Sequence, residues 1–235
     1  MTAPSTAMNL AATPLMASST AAGNVSYSLD IQTLIIITAL AFLPGLILLM
    51  TGFTRFIVVF ALFRQALGLT TTPPNMILVA LALIMSAFVM RPTIEAVNAN
   101  AIQPYLSKTI PFSSAVTQAE APMRTFMLSQ VRRRELQLFT TLSHPKTKYA
   151  SLQKVPMLVL VPAFATSELQ TGFEIGFLIY IPFVLIDLAV ASILMALGMI
   201  MVSPTLISLP IKLLLFLSIG GWSLLMGSMA RSFLH

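Results

Sequence analysis

The chain has 235 residues, of which 57% are hydrophobic and only 9% charged, and its mean hydropathy is +0.92. Soluble domains carry about a quarter charged residues, so this composition excludes an ordinary soluble protein and places the chain in or beside a membrane. Lys and Arg outnumber Asp and Glu by 13 to 7, but no basic stripe interleaved with aromatics and no nucleic-acid motif accompanies that excess, so nucleic acid is not an expected partner. The lack of cysteine removes disulfides, thiolate metal sites and thiol nucleophiles.

Residues 1–29 carry no charge and are rich in Ala, Ser and Thr. They read as a flexible leader or a weak signal peptide: no basic segment opens them, and the apolar stretch Leu10–Ala17 is interrupted by Thr13-Pro14. Residues 30–90 form N-terminal apolar helices. Asp30 suits the start of a helix running to Met50, a length of about 30 Å that is enough to span a bilayer. Arg55 and Arg64 flank the apolar run Phe56–Phe63, and the positive-inside rule turns both toward the cytoplasm, with the N-terminus outside. Gly68–Asn75, with its threonines and Pro73-Pro74, is a breaker. The following run, Met76–Met90, reaches only about 22 Å and spans poorly alone.

Residues 91–155 are a polar, basic, helical region. Pro122 is expected to begin a helix ending near Leu142, Arg132-Arg133-Arg134-Glu135 reads as a solvated charge run with a local ion pair, and His144–Lys154 reads as a loop. Residues 156–235 form a C-terminal helical hairpin region. Gly172 and Gly176 have the small-xxx-small spacing that lets helices approach closely, and Glu168 and Glu174 each need a basic, backbone or water partner. The apolar arms Ile175–Val202 and Thr205–Gly227 meet at a tip, Gly198–Pro204, that contains Met199, Ile200 and Met201. Asp187 and Lys212 each lie about 18 Å from the fold-back point at helical rise, which brings opposite charges level. A pair inside an apolar hairpin competes with two charges that snorkel separately. The methionines read either as packing filler or as an adaptable seal.

His144 and His235 are far apart in sequence and have no carboxylate cluster at ligand spacing. With no phosphate loop and no nucleophile elbow, the sequence points to no enzyme, cofactor or metal.

Several stretches in order resemble the FliP and injectisome R-protein family of type III secretion. They include Phe42-Leu43-Pro44, Met50-Thr51-Gly52-Phe53-Thr54-Arg55, Pro73-Pro74-Asn75, Val161-Pro162-Ala163-Phe164, Asp187-Leu188-Ala189-Val190-Ala191-Ser192, Ser208-Leu209-Pro210-Ile211-Lys212 and Gly221-Trp222. The resemblance covers residues 30–228. It implies an all-α fold of membrane-type helical hairpins assembling into an oligomeric helical ring around a central export channel. It further implies about five copies, partnership with the flagellar R and Q export proteins and the B-type switch protein, membrane lipid contact, unfolded export substrates, and a place in the bacterial inner membrane at the flagellar basal body. Because that complex sits largely above the bilayer plane, the four spans suggested by hydropathy are not expected to lie across the membrane as such.

The resemblance also assigns roles. Met199, Ile200 and Met201 match a methionine-rich gasket, with Ile200 where a further methionine is usual; Phe126, Phe139 and Glu168 match positions for subunit contact and gate closure; Asp187 and Lys212 match an intramembrane charge pair. The injectisome R protein is the nearer alternative. A small-molecule or ion transporter using Asp187 and Lys212 as a midplane site is the more distant one.

Overall fold

The computed structural model describes residues 29–143, 152–199 and 201–234. The leader before Leu29, the loop residues from His144, Ile200 at the hairpin tip and His235 lie outside the described residues. All regular structure among the described residues is helical, in agreement with the all-α expectation.

The chain divides into two compact units at Leu46 and Ile47. In the first lies most of α1 (Leu29–Leu49), which continues through Pro44 and leaves Leu34, Leu40 and Phe42 exposed. The second holds α2 (Phe53–Ala66), α3 (Asn75–Val89) and α4 (Arg91–Val97). A π-helical turn, Asn98–Ile102, then leads into the short α5 (Gln103–Leu106). After α6 (Phe112–Gln130) and α7 (Arg133–Ser143), a 3₁₀ turn at Leu152–Lys154 precedes α8 (Met157–Ala196), α9 (Pro204–Ser218) and α10 (Gly221–Arg231).

The spine is α8, whose 40 residues correspond to about 60 Å, twice the hydrocarbon thickness of a bilayer. Among the described residues it is the one helix that by itself is long and apolar enough to cross a membrane; α3 with the helices after it, and α9 with α10, are long enough only as pairs bent by 67°. The arm expected to open at Ile175 begins well inside this spine: the helix runs unbroken through Glu168 and Glu174, because each is supplied with an arginine and the polar interval therefore does not have to leave the helix. Pro162 and Pro182 lie within it; each removes one N–H from the ladder, a loss that neighbouring packing can offset in a long apolar helix.

Helix α2 packs directly on α8 where the side chains vanish. A Cβ on Gly172 would meet Val58 at 3.2 Å and the Arg55 carbonyl at 3.3 Å, and one on Gly176 would meet Leu62 Cδ1 at 2.3 Å. The small-xxx-small spacing thus brings the backbones together. Around this contact Phe56, Val59, Phe60, Phe63, Leu78, Ala82, Phe183, Phe216 and Met229 form the larger core, while Met127, Leu136, Val159, Leu160, Ala163 and Phe164 form a second core under α6 and α7. Full burial of each such large side chain stabilises by about 1.5–3 kcal/mol.

The polar block departs from the sequence reading. Pro122 lies inside α6 rather than at its start, and the expected single run to Leu142 breaks at Val131, whose backbone is extended (ψ 134°). The break is held by side chains: the Arg132 N–H donates to Ser167 Oγ at 3.0 Å, and the Arg132 guanidinium bonds Thr171 Oγ1 and the Glu174 carboxylate on α8. Arg132 is therefore not part of a solvated local pair, and Glu135 is buried.

Candidate functional site

Two charged centres and one tip lie along α8. The first is built on Arg55, in the first turn of α2. Its Nε donates to Glu168 Oε2 (3.0 Å), and its Nη2 donates to Glu168 Oε1 and to Gln130 Oε1 (3.1 Å). Its Nη1 donates to the Ser232 carbonyl (2.9 Å) and to Ser232 Oγ (3.0 Å). All five guanidinium donors are thus used. The group also lies 3.7 Å from the centroid of the Phe233 ring. Arg55 and Glu168 are 2% and 0% exposed. The arginine points into the protein rather than toward solvent, because Glu168, Gln130 and Ser232 together replace the water it gives up.

Phe126 joins this centre. Its ring stacks on Phe233 (6.3 Å between centroids) and meets Phe164 edge-on at 5.8 Å, so it packs against both cores. Phe139, on α7, packs against the second core only. Of the three positions grouped by resemblance, each on its own helix, Phe126 and Glu168 share one neighbourhood through Phe233 and Arg55, while Phe139 packs against the second core alone.

The second centre joins α8, α9 and the end of α2. Lys212 Nζ donates to Asp187 Oδ2 (2.6 Å) and to the Ala66 carbonyl (3.0 Å), and Ser208 Oγ donates to Asp187 Oδ1 (2.5 Å). The ammonium satisfies a carbonyl left open in the last turn of α2, where a cation also suits the helix dipole. Burial is unequal: the Lys212 side chain is 3% exposed and that of Asp187 34%.

Beyond this pair the hairpin turns. Gly198, at φ +72°, lets the Gly198 and Met199 N–H groups bond back to the carbonyls of Met195 and Leu194, closing α8 in a Schellman turn. Helix α8 ends at Ala196, six residues before the Val202 expected for the arm, and Pro204 starts α9. Met199 is 43% exposed and Met201 98% exposed. Outside these elements, the hydrogen bond to Glu174 raises the pKa of Arg132 above the ordinary arginine value. No group of His, Asp and Glu among the described residues is arranged to hold a metal ion.

A family model described as the FliP family matches residues 36–229. The chain belongs to the FliP family. Among its relatives, the flagellar biosynthetic protein FliP of Pectobacterium carotovorum is 50% identical over 212 residues, covering 90% of this chain and 81% of the relative. That of Bacillus subtilis is 42% identical over 206 residues, covering 88% and 93%. That of Buchnera aphidicola subsp. Acyrthosiphon pisum is 47% identical over 211 residues, but this chain spans only 55% of its length.

The FliP-family match includes Arg55, Glu168, Asp187, Lys212 and the hairpin tip, and stops before Ser232 and Phe233. Sequence reasoning passed over Arg55, Gln130, Ser208, Ser232 and Phe233 as partners. One signal was available: Glu168 needed a basic, backbone or water partner, and Arg55 stands in the first turn of a phenylalanine-rich helix, a poor place for an unpaired charge. The serines and Phe233 gave none, since their roles depend on where the chain folds back.

Proposed function

We propose that this chain is a membrane-associated subunit of the flagellar type III export apparatus, in which about five copies form a helical ring with the R and Q export proteins and meet the B-type switch protein. Membership of the FliP family carries this reading, and each relative named above is a flagellar biosynthetic protein, which favours it over the injectisome alternative. The molecule's surface supports an assembled state in lipid or against copies: Leu178, Leu185, Leu188, Leu206, Leu214 and Leu217 are all exposed along α8 and α9.

The proposed mechanism is passive gating. The hairpin is fixed near its middle by Asp187, Lys212 and the end of α2, while the tip beyond carries exposed Met199 and Met201. A ring of such tips, with Ile200 between the methionines, would present deformable apolar side chains to the axis. Those side chains exclude water and ions when empty and part for an unfolded export substrate. Phe126, Phe139 and Glu168 are assigned to gate closure and subunit contact. The energy for transport comes from other components.

The test is a chain in which Met199, Ile200 and Met201 are all replaced by glycine, expressed with its partners in cells whose ion permeability is measured. A leak that requires assembly of the complex is expected. Unchanged permeability at normal assembly would overturn the gasket.

A further inference from the structure

We infer that Ser232 and Phe233 form an intramolecular clamp whose task is to hold the Arg55–Glu168 pair in register, making the segment after α10 a positioning element for the Glu168 carboxylate. Two of the five Arg55 donors end on Ser232. Glu168 takes two and Gln130 one, so without Ser232 the guanidinium retains two buried donors with no acceptor. Phe233 closes the site from the side. Its ring covers the guanidinium at 3.7 Å and stacks on Phe56 at 5.4 Å, and its carbonyl accepts from Gln130 Nε2 at 3.1 Å. Gln130 thereby touches both the arginine and the clamp.

The fit is tight enough to be specific. A Cβ on Gly52, just before α2, would lie 2.7 Å from Phe233 Cζ, so the ring fills the space that the missing side chain leaves. The clamp brings together the start of α2, the end of α6, the first third of α8 and the segment after α10. Any movement of α10 relative to α8 must either carry this junction along or open it to water. Desolvation of Arg55 and Glu168 makes the second course costly, which couples the packing of the C-terminal segment to the geometry at Glu168.

The functional readout rests on the gate-closure assignment of Glu168; the clamp itself is read separately. Phe233→Leu keeps apolar bulk but removes the ring face, and Ser232→Ala removes the hydroxyl acceptor while leaving the backbone one. Hydrogen exchange on the full chain in its assembled complex should show amides of the Arg55 segment exchanging about tenfold faster in Phe233→Leu, because the ring that packs over Gly52, Arg55 and Phe56 is gone and the start of α2 opens more readily. Unchanged exchange in both variants overturns the clamp whatever the gate does. Ion permeability is measured in parallel for Glu168→Gln, Phe233→Leu and the double variant, at equal complex abundance. The clamp predicts that Phe233→Leu leaks and that it adds nothing in the Glu168→Gln background, because both act through one pair. Additive leaks, or a leak from Glu168→Gln without one from Phe233→Leu, overturn it. Faster exchange with no leak from any of the three leaves the clamp standing and removes the gate-closure role of Glu168.

Discussion

Replacing Arg55 with methionine keeps a long flexible side chain but withdraws all five donors, and it leaves the Glu168 carboxylate at 0% exposure with no cation. Removing one member of a buried pair costs about 3–5 kcal/mol, because the remaining charge has neither water nor a counter-ion. In a chain of this length each 1 kcal/mol moves Tm by roughly 2–4 °C, so the variant should melt roughly 6–20 °C lower. The double variant Arg55→Met with Glu168→Met removes both charges and their desolvation together; it should recover most of the loss. Trp222 provides the assay. It is the chain's one tryptophan and sits edge-on to Phe63 and Phe216 at 5.5 Å from each ring centroid, so its fluorescence follows loss of the larger core. A single variant melting within about 2 °C of the parent, or a double variant no better than the single, would refute the argument that the pair is buried and mutually dependent.

Three further outcomes follow from the geometry. Lys212→Met should destabilise less than Arg55→Met in the same melt, because the stranded Asp187 keeps 34% of its side chain exposed whereas Glu168 keeps none. Gly221→Ala places a Cβ 2.1 Å from the Phe216 ring; overpacking of about 1–3 kcal/mol should appear as a lower Tm with altered Trp222 emission, whereas Gly45→Ala meets nothing within 4 Å and should leave Tm close to the parent's. Glu174→Gln breaks the link from Arg132 at a site where Glu174 is 52% exposed, so its cost should stay below about 1 kcal/mol and shrink further in high salt.

Parts of this fold were legible because they depend on local chemistry. The apolar run Phe56–Phe63 lies within α2, Met76–Met90 overlaps nearly all of α3, and Ser203-Pro204 marks the start of α9. Gly172 and Gly176 could be read as a close approach, and their facing residues on α2 are Val58 and Leu62. What escaped were features settled by distant partners. A polar interval from Glu168 to Glu174 looks like the border of the apolar arm until Arg55 arrives from α2 and Arg132 from the break between α6 and α7. Pro122 looks like a helix start because that is where proline is least costly, yet α6 begins ten residues earlier, at Phe112. An arginine beside an apolar helix looks like a topology marker, and nothing local reveals that Ser232 and Phe233 will cover it. At the tip, Met199 and Met201 stand out in the sequence and are exposed in the structure.

The central claim is that this chain works as one subunit of a ring. Its most direct test is native mass spectrometry of the detergent-extracted full chain, alone and then with the R and Q proteins. Five copies of the 25.4 kDa chain would give about 127 kDa before partners and detergent. The account predicts a species near that mass which grows when R and Q are added. A monomer or dimer that persists unchanged in the presence of both would contradict it.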